Sequence, residues 1–154
     1  MIRTSRRLLL CAALLTLLLG FIWGNSLLPG EISQAISNWV QQLLFDTRPT
    51  PGELALAGNG ILRKLAHFTE FTALGMTLGW LFGMLGRNRR WPLLTGMAAG
   101  GIDELIQSFV PERAPRLLDV GIDSLGVLTG IILLHLGHTY LKKRSANQSN
   151  FGGQ

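Results

Sequence analysis

Cysteine is almost missing from this chain: Cys11 stands alone among 154 residues. One cysteine excludes an intramolecular disulfide and a cysteine-ligated metal cluster. It lies inside an apolar run, where it is inert whether packed or lipid-facing. Charge is scarce as well. Asp, Glu, Lys and Arg make up 15% of the residues, against about 25% in a soluble domain. The shortfall falls in blocks, with long stretches that carry no charge at all, and this is the pattern of bilayer spans. A hydrophobic fraction of 47% and a positive mean hydropathy agree with it. The net charge of +5 comes from short basic clusters beside apolar runs, which are topology signals rather than a nucleic-acid surface. No Ser or Cys sits in a recognisable nucleophile motif, and no internal repeat is visible. The length suits a single domain, 1–154.

Four apolar runs are present. The first extends from Leu8 to about Leu28 behind Arg3, Arg6 and Arg7. A basic start before an apolar stretch also describes a signal peptide. Its unbroken core, Leu8 to Trp23, is long for one, and Gly24-Asn25-Ser26 is a poor cleavage site, so a retained helix is expected. The second run spans about Leu65 to Leu85, the third Trp91 to Val110 and the fourth Leu117 to Tyr140. Each has about the 20 residues that cross roughly 30 Å of hydrocarbon. Gly86-Arg87-Asn88-Arg89-Arg90 and Pro111-Glu112-Arg113-Ala114-Pro115-Arg116 are the turns between them. The expected fold is all-α: a polytopic bundle of four transmembrane helices plus an outer interfacial amphipathic helix.

The basic residues orient the bundle. Three at the N-terminus, three in the 86–90 turn and three at Lys142, Lys143 and Arg144 share one side of a four-span chain. That side holds nine of the 14 basic residues and none of the nine acids. Both termini are therefore expected in the cytoplasm. Residues 29–63 form an extracytoplasmic loop in which Ile32, Ala35, Ile36, Trp39, Val40, Leu43 and Leu44 recur at helical spacing. Ser33, Gln34, Ser37, Asn38, Gln41 and Gln42 fill the other face. This reads as an amphipathic helix on the outer membrane surface, with Trp39 at headgroup level, and a lid over the bundle is compatible with it. The stretch 46–60, around Pro49-Thr50-Pro51-Gly52, reads as a loop. The polar residues 145–154 read as a disordered tail.

Charges inside a span are costly and mark function by default. Here they cluster at one depth. Lys64, His67 and Glu70 lie near the outer end of the second helix, Asp103, Glu104 and Gln107 in the outer half of the third, and Asp119 and Asp123 in the first turns of the fourth, after Arg113 and Arg116. Glu70 and Asp103 lie roughly 10 Å inside their helix ends at 1.5 Å per residue. Asp119, Asp123, Gly126 and Gly130 fall within about 60° of helix face. Gly96, Gly100, Asp103 and Gln107 make a second stripe, and His67, Phe71, Gly75, Gly79 and Gly83 a third. Small residues at this spacing let membrane helices approach closely. The polar groups should thus face one another in a pocket that opens outward between the second, third and fourth helices.

These residues also carry a resemblance. Lys64-Leu65-Ala66-His67-Phe68-Thr69-Glu70-Phe71, then Asp103-Glu104-Leu105-Ile106-Gln107-Ser108-Phe109-Val110-Pro111-Glu112-Arg113, then Asp119-Val120-Gly121-Ile122-Asp123-Ser124-Leu125-Gly126, resemble the VanZ-like family over a motif core of 61–135. One departure shows: the resemblance leads one to expect Asn where Asp123 stands. It implies a multi-pass protein of the bacterial plasma membrane and cell envelope, of the kind associated with glycopeptide (teicoplanin) resistance. It implies no established reaction.

Three functional readings remain open. In the first, the pocket binds or processes an anionic lipid-linked substrate, a phospholipid or a lipid-linked envelope precursor. His67, Glu70, Asp103 and Glu104 would then do acid–base chemistry, while Lys64, Gln107, Arg113, Arg116, Asp119 and Asp123 hold the substrate, arginine gripping phosphate with its planar fork. In the second, His67, Glu70, Asp103, Glu104, Asp119 and Asp123 bind a divalent metal, their many oxygens suiting Mg²⁺, Mn²⁺ or Ca²⁺ better than structural zinc. In the third, the protein is a non-catalytic envelope or antibiotic-resistance factor, and Lys64 or Arg113 simply neutralises Glu70 or Glu104. Ten polar groups at one level exceed what holding three helices requires.

Overall fold

The computed structural model describes residues 2–45, 61–88, 90–113 and 116–151. Among them are five helices and no strand: α1 (Ile2–Ser26), α2 (Gly30–Phe45), α3 (Ile61–Met84), α4 (Arg90–Ser108) and α5 (Leu117–Phe151). The expected loop at 46–60, Arg89, and Ala114 and Pro115 of the second turn lie outside the described residues, as do the side chains of Gln41 and Leu44. Within α1 and α5, Ser5–Ser26 and Leu117–Ser145 are long and apolar enough to cross a membrane. Glu70 interrupts the apolar run of α3, and Asp103 with Glu104 that of α4.

Local chemistry explains the boundaries. At the end of α3, Gly86 adopts φ 62°, and the Arg87 N–H donates to the Phe82 carbonyl at 3.0 Å while the Gly86 N–H donates to Gly83 at 3.2 Å. These two bonds satisfy carbonyls that the helix end would otherwise leave free. Asn88 then caps α4, its Oδ1 accepting the Arg90 N–H at 3.1 Å. At its far end α5 runs on to Phe151, so the stretch expected to be disordered is helical that far. Between Tyr140 and Phe151 no Gly or Pro breaks the helix, and polarity alone does not end one.

The tightest packing joins α3 to α5. The core is small and apolar: Ile22 from α1, Phe71, Leu74 and Leu78 from α3, Ala99 from α4 and Val127 from α5. Cys11 is buried too, its thiol 3.6 Å from the Thr77 carbonyl, which makes it packed rather than lipid-facing. Trp23 reaches α4, donating to the Ala99 carbonyl at 3.4 Å. The outer surface is apolar: Leu17 and Phe21 of α1, Leu94 and Leu105 of α4, Leu125 and Leu136 of α5 are all exposed.

Candidate functional site

The glycine stripes place the polar groups. On α5, Gly126 and Gly130 lie against the α3 backbone at Phe68 and Thr72, and Gly75 of α3 lies against Val127. Gly96 of α4 faces the Val127 side chain, and Gly100 faces Asp123. Drawing three helices together on these faces brings His67, Asp103 and Asp123 to one point. His67 Nδ1 is 3.6 Å from Asp103 Oδ2 and 3.5 Å from Asp123 Oδ1. The His67 ring lies parallel to Phe71, one turn on, with centroids 6.4 Å apart.

Asp103, Gln107 and Asp123 are each 0% exposed. Gln107 donates to Asp103 Oδ2 at 2.8 Å and to the Ser26 hydroxyl at 3.3 Å, and its Oε1 accepts from Arg63. Asp103 Oδ1 and both Asp123 oxygens have no hydrogen-bond partner among the described residues. That is costly for buried acceptors.

The other expected site residues diverge from this centre. Glu70 accepts from the Asn25 amide at 3.1 Å. Glu104 Oε2 accepts the Arg116 backbone N–H at 2.8 Å and so fastens the start of α5. Among the described residues neither makes an ion pair with Lys64 or Arg113, the partners one reading expected, although the Glu104 charge favours the cationic form of Arg113. Lys64 is exposed, and so is Arg116, which enters only through its main chain. Asp119 is half-buried, and its Oδ1 has no hydrogen-bond partner among the described residues. Arg113 donates to the Asn25 carbonyl at 3.1 Å. Burial, with Arg63 nearby, holds its guanidinium below its ordinary value; it stays cationic at neutral pH.

Three contributors were not read from the sequence as site residues: Arg63, Asn25 and Ser26. Arg63 had a signal, since it precedes His67 by four residues and Phe71 by eight, which is one helix face.

A cavity of about 640 Å³ opens beside this cluster. It lies among α1, α2 and α3 rather than between α3, α4 and α5 as the sequence suggested. Phe21, Leu28, Ile36 and Val40 give it apolar walls, while Arg63, His67, Glu70 and Arg113 supply the polar side. Ser33, Ser37 and Val40 line it from the half-buried face of α2 and the part-exposed Ile36 from the edge of that face, whereas Ile32, Trp39 and Leu43 are exposed.

The family described as VanZ/LLP1 matches the chain over residues 8–138. No curated protein and no solved structure matches it.

Proposed function

The chain belongs to the VanZ/LLP1 family, and from that premise we propose that it is a four-span protein of the bacterial envelope that binds an anionic, lipid-linked molecule on the extracytoplasmic side. The headgroup sits against Arg63 and Arg113, and the hydrocarbon lies along Phe21, Leu28, Ile36 and Val40. The observation that carries this reading is the cavity itself: one opening with two guanidinium-bearing side chains and an apolar wall. Such a mixture suits an amphiphile, because arginine binds phosphate oxygens through paired charge-assisted bonds while the walls exclude water from a tail.

Two further features support it. The long helices turn apolar side chains outward and seal Asp103, Gln107 and Asp123 inside, an arrangement suited to a lipid surround. The exposed apolar stripe of α2, with Trp39 in it, suits an interfacial helix whose serine face closes the cavity. In this reading Glu70 and Glu104, held by Asn25 and by the Arg116 main chain, position helices, and the chemistry centres on His67, Asp103 and Asp123.

Purified protein titrated with short-chain phosphatidylglycerol and with farnesyl phosphate tests the reading. A hydrogen bond to a charged group contributes about 1.5–3 kcal/mol, so losing one arginine should weaken binding roughly 10- to 100-fold. Arg63→Ala and Arg113→Ala should each lose that much for the anionic probes and little for phosphatidylcholine. Equal affinity of the double variant for the anionic probes would overturn the proposal.

A further inference from the structure

His67, Asp103 and Asp123 come from three different helices, α3, α4 and α5, yet one ligand-type atom from each lies within 4.8 Å of the other two. Two carboxylates and one imidazole converge here, and both carboxylates are fully buried. Among the described residues no lysine or arginine lies within ion-pair distance of either aspartate; His67 is their nearest cation-forming partner, at 3.5 and 3.6 Å. Those separations are too long for good hydrogen bonds. Three carboxylate oxygens, Asp103 Oδ1 and both of Asp123, therefore remain without a donor in a place where each buried acceptor needs one.

We infer that His67 Nδ1 and the carboxylates of Asp103 and Asp123 form a binding site for one divalent first-row transition ion, of the Zn²⁺ or Mn²⁺ type. A cation at their common point satisfies the orphan oxygens and offsets the two like charges at once. Gln107 holds one ligand in place, donating to Asp103 Oδ2, the kind of outer-shell contact that orients metal ligands. Gly100 makes room for another, since a Cβ there would come within 3.3 Å of Asp123 Oδ2.

The donor set selects the ion class. Imidazole favours Zn²⁺ and its neighbours, and carboxylate accepts Mn²⁺. Ca²⁺ takes 6–8 oxygen ligands, and only three protein groups gather here. Glu70 and Glu104 stand outside the group whose ligand atoms lie within 4.8 Å of one another among the described residues. Three protein ligands resemble a catalytic rather than a structural metal site, which is closed by four. Asp123, where the family resemblance suggested a neutral Asn, supplies the second negative charge.

The test uses full-length protein in detergent, stripped with chelator and titrated with Zn²⁺ or Mn²⁺ alone, with bound metal counted by elemental analysis. No lipid is added, so failure here and failure of lipid binding are separate results. One ion per chain is expected. Asp123→Asn and Asp103→Asn should weaken binding by at least about tenfold, the scale on which even outer-shell changes act. Glu70→Gln and Glu104→Gln should leave it within about twofold. Co²⁺ substituted into the unmutated protein gives a second readout that no variant's folding can confuse: visible d–d bands of a nitrogen- and oxygen-ligated centre. No metal above background, or binding that survives Asp123→Asn unchanged, or Co²⁺ spectra of the fully hydrated ion, would each overturn the inference.

Discussion

Gly130→Ala is expected to cost about 3 kcal/mol or more, the upper part of the range for overpacking a filled interior. A Cβ on Gly130 would lie 2.1 Å from the Thr72 carbonyl oxygen and 2.7 Å from the Met76 nitrogen. Both are backbone atoms, so no side-chain rotation relieves the overlap, and α3 and α5 must move apart. Gly75 meets the same limit from the other helix, 2.2 Å from the Val127 carbonyl oxygen. Separating the two helices also moves His67 away from Asp123, so site and fold fail together. Gly83→Ala and Gly101→Ala are the controls, since among the described residues no neighbouring element comes within 4 Å of the added carbon at either position. There the substitution should be neutral or stabilise by up to about 1 kcal/mol through helix propensity. Thermal unfolding in detergent, read by size-exclusion recovery, separates the two classes.

The second large effect is expected at His67. In chelator, His67→Ala removes the group that faces two buried aspartates and leaves their charges to each other. Removing one partner of a buried ionic set costs about 3–5 kcal/mol, because the survivor stays desolvated and unpaired. The loss should be largely reversed in the triple variant His67→Ala with Asp103→Asn and Asp123→Asn, which keeps shape and deletes the charge. A purely packing role for the imidazole predicts no such reversal. The same unfolding measurement at neutral pH reads both variants.

Much of this arrangement was legible in the sequence. Apolar runs and turn residues located α1, α3, α4 and α5, because both signals are local. Four-residue spacing put His67 with Phe71 and Gly75, and the stripes on α4 and α5 pointed at the same interface; Gly75, Gly96, Gly100, Gly126 and Gly130 do lie in tight contact there. Gly83, though on the same stripe, meets no neighbouring element among the described residues.

What stayed hidden depends on how one helix registers against another. Lys64, His67 and Glu70 look like a single face at three-residue steps, but each step lags by about 60°, so over two steps Lys64 drifts outward. The face continues through Arg63 instead. Asn25 and Ser26 read only as part of a poor cleavage site; their bonds to Glu70 and Gln107 exist because α1 packs at one height on α3 and α4, which no periodicity encodes. The cavity moved for the same reason. The glycines seal α3 against α5, and the opening forms on the side where α2 meets α3 only sparsely.

In the proposed arrangement the polar chamber faces outward, and the turn at Arg87 and the end of α5 beyond Tyr140 face the cytoplasm. Single cysteines test it directly. Cys11 is replaced by alanine, and Glu31→Cys, Arg87→Cys and Asn147→Cys are made one at a time at exposed positions. Intact cells are then treated with a membrane-impermeant maleimide. The expected result is labelling at position 31 in intact cells, and labelling at 87 and 147 only after the membrane is opened. Labelling of 31 and 87 from the same side would contradict the four-span arrangement and, with it, an outward-facing chamber.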